Sequence, residues 1–237
     1  MWERQDKFDA SDAGAGAFAG RLDEAGGFGV VWPSDRPSHL VSLSATGTVG
    51  AGMDFDNRVT ALDVSNGNIT TAEVADPGDG AVIVRRNAGL GPLWTNELGG
   101  GLTDVSAVDG TESGEVYAAG GHDTLRGQFS EGWLVKLDNA GVELWRRDAG
   151  SLGADAYTVV AAANGDALVA GRSSGQPWMA RVSADGDVLW EHLISGDGVL
   201  LSGAVGEAPD GSFFVGCGVA ETGGVDGDNI LAVALTP

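Results

Sequence analysis

The chain has 237 residues, 43% of them hydrophobic and 20% charged, which is enough for one large or two small domains with a buried core. With 34 Asp and Glu against 13 Lys and Arg, its formal net charge is −21. This charge repels phosphate backbones and anionic lipid headgroups, so we expect binding neither to nucleic acid nor to a membrane surface.

The predicted elements, taken in chain order, begin in each part of the sequence with two short strands joined by a tight turn. Apolar runs flank Asn-Gly, Asp-Gly, Ser-Gly or Gly-Gly, and such turn residues accept the positive φ that a hairpin needs. The strand pairs are predicted at residues 18–22 and 28–32, 59–62 and 69–72, 105–108 and 116–120, 157–162 and 167–171, and from residue 202 through 213–216.

A second pair of strands follows in each unit and is marked by Trp. Residues 133–145 begin and end on Trp, and they recur as residues 178–190 with the same spacing. Weaker copies lie at residues 82–94 and 39–51, where Ala51 replaces the final Trp. Each unit is therefore predicted to run strand, hairpin, strand, loop, strand, hairpin, strand.

The fifth unit has only a third strand, at residues 230–235, before Pro237. We predict its fourth strand at the N-terminus, because residues 1–6 resemble residues 144–148 and 189–192. On a chain treated as a circle, the marker position then recurs every 43 to 51 residues, at Trp2, Ala51, Trp94, Trp145 and Trp190.

Four-stranded antiparallel units of this length, arranged radially, are the blades of a β-propeller. We predict a single all-β domain over residues 1–237, a five-bladed β-propeller whose ring is closed by the N-terminal strand pairing into the last blade. The blades are expected at approximately 14–56, 57–100, 101–150, 151–196, and 197–237 plus 1–9. The recurring Trp is expected to pack each outer strand against the neighbouring blade. An open solenoid is the alternative, but it needs polar capping units, which the sequence does not show.

The pattern Leu137-Asp138-x-x-Gly141-x-x-x-Trp145 resembles the tryptophan-docking repeat of quinoprotein-like propellers. The run Val169-Ala170-Gly171, combined with the later Trp-x-x-Arg-Val of residues 178–182, more closely resembles the propeller repeats of exported bacterial proteins of unassigned activity. The resemblance implies a secreted recognition module, extracellular or periplasmic, although the first residues lack the apolar middle of a secretory signal. Quinoprotein enzymes have eight blades and adjacent cysteines near the cofactor. Because this chain has five units and the single cysteine Cys217, we expect no quinone, and we assign no other cofactor.

Candidate ligand-binding residues lie in the loops between second and third strands. In a propeller these loops emerge on one face, and they carry the most varied polar residues of the chain. Trp178 follows a Pro beside such a loop, where its ring would stack on a sugar. The candidates are Asp35, Arg36, His122, Asp123, Arg126, Arg172, Gln176, Trp178 and Glu221. The alternative for each polar residue among them is an ordinary solvated loop position.

Three further polar residues, Asn57, Asp104 and Asp155, are predicted at the starts of innermost strands, near the axis. They would either bind a cation or polar ligand or cap backbone N–H groups. The segment at residues 226–229, Asp-Gly-Asp-Asn, resembles part of a calcium loop but lacks its closing Glu. The single Cys excludes a disulfide within the chain and a thiolate zinc site, so no metal site is assigned.

The sequence therefore favours a monomeric, non-catalytic binding module that presents a loop face to a glycan or a protein ligand. The first alternative is a glycoside-cleaving propeller enzyme that uses Asp35, Asp104, Asp123 and Asp155 around the axis. The second is a purely structural repeat module. No apolar run reaches the length of about 18 residues that predicts a membrane span.

Overall fold

The computed structural model describes the backbone of residues 16–19, 27–32, 38–43, 46, 48–74, 80–99, 104–121, 132–148, 155–173, 176–193, 198–208, 210–221 and 228–235. In these ranges the regular structure consists of β-strands. No helix there is long and apolar enough to cross a bilayer.

The strands form five antiparallel sheets, within which neighbours in sequence are neighbours in space. Sheet 1 contains β1 (Gly16–Ala19), β2 (Gly27–Trp32), β3 (His39–Leu43) and β4 (Val49–Asp54). Sheet 2 contains β5 (Arg58–Ser65), β6 (Asn68–Val74), β7 (Ala81–Asn87) and β8 (Pro92–Leu98). Sheet 3 contains β9 (Asp104–Gly110), β10 (Val116–Gly121), β11 (Gly132–Leu137) and β12 (Glu143–Asp148).

Sheet 4 contains β13 (Asp155–Ala161), β14 (Ala167–Ser173), β15 (Gln176–Val182) and β16 (Val188–Leu193). Sheet 5 contains β17 (Gly198–Glu207), β18 (Phe213–Glu221) and β19 (Asp228–Leu235). The predicted all-β architecture of four-stranded antiparallel sheets is confirmed. Pairing of residues 1–9 with the last sheet stays a prediction, because those residues lie outside the described ranges.

The predicted first turns of sheets 2 to 5 are confirmed by their backbone angles, and the predicted turn at residues 26–27 lies at the limit of the described ranges. Asn66 and Gly67, with φ of 52° and 69°, form the two-residue turn between β5 and β6. In the next three sheets the longer first turn has a Gly with φ between 80° and 92°, at Gly114, Gly165 and Gly211. A Cβ is strained in this region, so these positions require the residue types that the sequence supplies.

The core lies between the sheets. Every residue of β10 and β11, the middle strands of sheet 3, is buried, whereas β16 at the outer side of sheet 4 is largely exposed. One apolar cluster joins Ile83 of sheet 2 to Val105 and Trp133 of sheet 3. Middle strands covered on both faces are typical of sheets stacked side by side, because each sheet must bury two faces.

Trp94 and Trp145 each pack against a glycine turn of the next sheet, which confirms the predicted packing of these outer strands on the neighbouring sheet. A Cβ on Gly141 would lie 2.7 Å from the Trp94 ring, and one on Gly186 would lie 2.9 Å from the Trp145 ring. The Trp145 indole also donates a hydrogen bond of 2.9 Å to the carbonyl oxygen of Ala184. Each outer strand is thereby attached to the turn that follows Asp138 or Ser183 in the neighbouring sheet.

A cation of the third strand lies opposite each of these Trp residues. The register pairs Arg85 with Trp94, Lys136 with Trp145, and Arg181 with Trp190. These cations extend toward the next sheet: Arg85 donates to the carbonyl of Gly114, Lys136 donates to that of Ala184, and Arg181 lies 5.2 Å over the Phe213 ring. Hydrogen bonds and ring contacts at the ends of long apolar stems offset the cost of burying these charges.

The opposite face of sheet 2 contains a closed buried network. Arg86 donates to Thr71 at 2.6 Å and to Glu73 at 2.7 Å, and Thr71 donates to Glu73 at 2.9 Å. The Arg86 guanidinium also lies 5.0 Å over the ring of Phe55, which follows sheet 1 in the chain. Since every charged member has a partner, this network joins sheets 1 and 2 without an orphaned charge.

The contact between Trp and glycine predicts a difference between two Gly→Ala substitutions in sheet 4. Gly165 and Gly186 have φ of 87° and 91°, so Ala is strained at both by about 1–2 kcal/mol. Only at Gly186 would the new methyl group collide with Trp145. We expect Gly186→Ala to lower the free energy of unfolding by at least about 1 kcal/mol more than Gly165→Ala, measured by urea denaturation.

The control is the same pair of substitutions in a Trp145→Ala background, where the difference should vanish. Equal losses in the native background would show that the turn tolerates the methyl group and that the Trp does not anchor the sheets.

Candidate functional site

Most of the sequence-predicted ligand residues lie at, or outside, the limits of the described ranges. Asp35, Arg36, His122, Asp123 and Arg126 are outside them. The backbone of Arg172 is near the end of β14, Gln176 begins β15, and Glu221 ends β18. These three positions flank connections between second and third strands, where the sequence predicts them, and their role in binding stays a prediction.

Trp178 lies in the core rather than on a ligand face. It is 4% exposed and packs in an apolar cluster with Tyr117 and Leu134 of sheet 3. The neighbouring sheet therefore covers the ring, which corrects its assignment as a sugar-stacking residue. Pro177 and the nearby loop suggested exposure, but β15 is a middle strand covered by the adjacent sheet.

The predicted axial residues occupy the starts of first strands. Asp104 begins β9, Asp155 begins β13, and Asn57 immediately precedes β5. First strands of successive sheets contact one another, as β5 does β9 and β9 does β13. A ligand-binding or capping role for Asn57, Asp104 and Asp155 stays a prediction.

A pair of carboxyl groups that sequence reasoning missed joins three sheets. Asp63 of β5 accepts a hydrogen bond of 3.1 Å from the Gly110 backbone N–H, and Asp109 of β9 accepts one of 2.7 Å from the Ala161 N–H. The two carboxyl groups lie close enough for the charge of Asp63 to act on Asp109. A Cβ on Gly110 would meet the Ser65 hydroxyl and lie 3.0 Å from the Asp63 carboxylate, so a side chain there would force these groups to move.

Both members of this pair hold their protons more tightly than ordinary carboxyl groups. Burial raises the pKa of Asp63. Burial and, secondarily, the charge of Asp63 raise the pKa of Asp109 to about 7. Two adjacent carboxylates repel each other when both are ionised, so one proton is retained between them. Because both groups also bind backbone N–H groups of the following sheet, their geometry is that of a structural link rather than of a pair open to substrate.

A comparison of equivalent positions in the repeats would have found this pair. Asp63 is opposite Thr70 and Asp109 is opposite Tyr117 in the strand registers. Val160, opposite Leu168, has the corresponding place in sheet 4. A carboxylate at a position where the next repeat has Val160 is the signal, and the hairpin pattern alone does not single it out.

A concave site of about 900 Å³ lies between the hairpin turns of sheets 3 and 4. Its volume is within the range of ligand pockets in proteins. The turns line it at the ends of the strands opposite to the predicted loop face, so the site is distinct from that face. The lining residues are Thr111, Glu112, Ser113, Glu115, Lys136, Leu144, Trp145, Ala162, Ala163, Asn164, Gly165, Ala184 and Asp185. We call this site the hairpin cleft.

The floor of the hairpin cleft is held by hydrogen bonds between the two sheets. Lys136 and Trp145 both donate to the carbonyl of Ala184, and Lys136 forms an ion pair of 3.0 Å with Glu115. The Tyr117 hydroxyl donates to the Gly165 carbonyl at 2.6 Å. Burial, followed by the charges of nearby carboxylates that include Glu115, raises the pKa of Tyr117, so this hydroxyl remains a donor.

No group of three or more His, Cys, Asp or Glu in the described ranges is arranged to hold a metal ion. Of the segment that resembles a calcium loop, Asp228 and Asn229 begin β19, where they pair with Ala220 and Val219, and the two preceding residues lie outside the description. Calcium binding there stays untested.

Solved structures with similar folds are propellers of differing function. The structure of streptogramin B lyase matches with a TM-score of 0.57 and 14% identity, over 92% of this chain and 72% of that one. The Dos1 propeller matches with a TM-score of 0.59 and 10% identity, over 86% and 55%. The Pan2 WD40 domain of Neurospora crassa matches with a TM-score of 0.55 and 12% identity, over 82% and 56%.

The chain has a β-propeller fold. At these identities the likeness concerns the fold alone, and the chain spans little more than half the length of the Dos1 and Pan2 structures. No protein-family model matches it, and neither does any curated protein. The propeller expectation is confirmed, whereas the exported bacterial origin and the number of units in the ring stay predictions.

The carboxyl pair predicts an unusual dependence of stability on pH. The pKa of Asp109 is higher in the folded than in the unfolded chain, so its contribution is complete below about pH 4 and is lost as the pH rises through about 7. Asp109→Asn keeps an oxygen for the Ala161 N–H and has no proton to lose. Between pH 4 and 8 the unfolding free energy of the unmodified protein should therefore fall further than that of Asp109→Asn. We expect the difference to be at least about 1.4 kcal/mol, the equivalent of one pKa unit.

The matched control is Asp56→Asn, which neutralises an exposed carboxylate and should leave the slope of stability against pH as it is in the unmodified protein. Chemical denaturation at a series of pH values gives the unfolding free energy of the unmodified protein and of both variants. An unchanged slope for Asp109→Asn would contradict the assignment of the shared proton to this pair.

Proposed function

We propose that the protein is a non-catalytic binding module in which a rigid propeller presents its connecting segments to a ligand. The observation that carries this proposal is the use of buried polar groups between the sheets. Asp63, Asp109, Arg85 and Lys136 all bind main-chain atoms of the following sheet. Groups engaged in this way hold the scaffold, and recognition is left to residues at the strand ends.

The proposed ligand face is formed by the connections between second and third strands, and the ligand is a glycan or a protein. Arg36, His122, Arg126 and Arg172, together with Asp35, Asp123, Gln176 and Glu221, supply donors and acceptors for hydroxyl or charged groups. The antiparallel order of the strands supports this face, since all connections between second and third strands leave from the same end of the strands. An extracellular or periplasmic location is proposed on the resemblance to exported repeat proteins.

We further propose that the propeller has five blades and that the N-terminal strand completes the last one. Sheet 5 has three described strands, and residues 1–6 share the pattern of the fourth strands β12 and β16. In this arrangement Trp2 takes the place of Trp145 and packs against a turn of sheet 1. Ring closure would leave no unpaired outer strand at either terminus.

Ring closure predicts that Trp2→Ala destabilises the protein as Trp145→Ala does. A partly buried Trp replaced by Ala costs roughly 2–4 kcal/mol, somewhat less than a fully buried one. Glu3→Ala, next to Trp2 in the predicted strand, is the control and should change the unfolding free energy by less than about 0.5 kcal/mol. A loss confined to Trp145→Ala would show that residues 1–9 do not close the ring.

The ligand face is tested by a glycan array and by thermal shifts with sugars, followed by Arg172→Ala and His122→Ala. We expect both substitutions to weaken binding with little change in melting temperature. Glu112→Ala, on the opposite face, is the control and should leave this binding unchanged. Release of a cleaved sugar would instead support a glycoside hydrolase that uses Asp35, Asp104, Asp123 and Asp155, and would overturn the non-catalytic proposal.

A further inference from the structure

The hairpin cleft is separate from the proposed ligand face, because it lies at the other ends of the strands. Its base consists of hydrogen-bonded groups on two sheets, Lys136 and Trp145 on one side and Ala184 on the other. The walls are turns whose main-chain hydrogen bonds close on themselves, as between Ala162 and Asp166. This concavity is therefore part of the scaffold and does not need a ligand to form it.

Free charge at the cleft is negative. Lys136 is the cation of the lining, and it is 3% exposed and paired with Glu115. Glu112 and Asp185 are exposed at the rim, and neither forms an ion pair with a cation in the described part of the chain. With a net charge of −21 around it, the cleft attracts a cationic group and repels an anionic one.

The cleft also has an apolar wall. Leu144, which is 50% exposed, lines the cleft together with Trp145, which is partly buried. An exposed Leu at the entrance of a concave site gains free energy when a second apolar group covers it. A ligand that fills this site therefore needs an apolar group as well as a positive charge.

We propose that the hairpin cleft binds a protein segment in which a Lys or Arg stands next to an apolar side chain. The apolar side chain packs on Leu144, and the cation lies between Glu112 and Asp185. Charge complementarity argues against nucleic acids and sulfated glycans, and the exposed Leu argues against a simple polyamine. The site differs in position and chemistry from the proposed glycan or protein face, so either can fail without the other.

The probe for this site is a fluorescein-labelled peptide of alternating Leu and Lys, with binding measured by fluorescence anisotropy. We expect binding that weakens as salt is raised, since a large part of the attraction is between exposed charges. A peptide with Ser in place of Leu and the polyamine spermine retain the charge without the apolar groups, and both should bind at least about tenfold more weakly. A peptide with Glu in place of Lys should not bind.

Variants of the rim separate a local site from attraction to the acidic molecule as a whole. Glu112→Gln with Asp185→Asn should weaken binding of the Leu/Lys peptide about tenfold. Asp56→Asn with Glu191→Gln removes the same charge from exposed positions outside the cleft and should change the affinity less than about twofold. Leu144→Ser should weaken binding several-fold, whereas Leu189→Ser, the equivalent and equally exposed residue of sheet 4, should not.

Three results would overturn the proposal. Equal losses of affinity from the two double variants would show that the peptide is attracted by the overall negative charge and not by the cleft. Equal binding of spermine or of the Ser/Lys peptide would remove the apolar part of the site. Absence of binding of the Leu/Lys peptide at low salt, with melting temperatures unchanged across the variants, would show that the cleft does not take this class of ligand.

Discussion

The packing of sheet 2 on sheet 3, and of sheet 3 on sheet 4, depends on a Trp ring that lies on a glycine turn. The turn between third and fourth strands needs Gly141 or Gly186 for its positive φ, and the absence of a side chain lets the Trp of the preceding sheet approach the main chain. Any other residue would both strain the turn and displace the ring. Successive sheets can thus repeat the contact, although most of their other residues differ.

The carboxyl pair serves a related need on the inner side of the sheets. A first strand has a neighbour on one side only, so its outward N–H groups require acceptors from elsewhere. Asp63 and Asp109 supply these acceptors for Gly110 and Ala161 of the following first strands. In sheet 4 Val160 occupies the equivalent place, so the series of carboxylates ends there. The shared proton between the two acids is the electrostatic consequence of placing them in consecutive sheets.

Local patterns in the sequence were enough for the strands, the turns and the docking Trp residues. Asn66-Gly67 and Gly141 act through their own backbone angles, and Trp145 repeats at a fixed distance from its turn, so a repeat reveals them. The sequence did not reveal the roles of Asp63 and Trp178, because these depend on which main chain or ring from another sheet covers them. Burial by a neighbouring sheet depends on how the sheets pack on one another, and the sequence pattern of a hairpin carries no information about that packing.

The first turns of sheets 2 and 3 differ in length, and the concave site lies at the interface formed by the longer one. Sheet 2 has a two-residue first turn, and its Asn66 side chain donates hydrogen bonds of 2.9 Å to the carbonyls of Thr111 and Glu112, which bridge it to the turn of sheet 3. Sheet 3 has a longer first turn, and the hairpin cleft lies between that turn and those of sheet 4. The Trp and cation contacts are alike in the interface of sheets 2 and 3 and in that of sheets 3 and 4. A change in the turns alone can therefore add a site without loss of the packing that holds the sheets together.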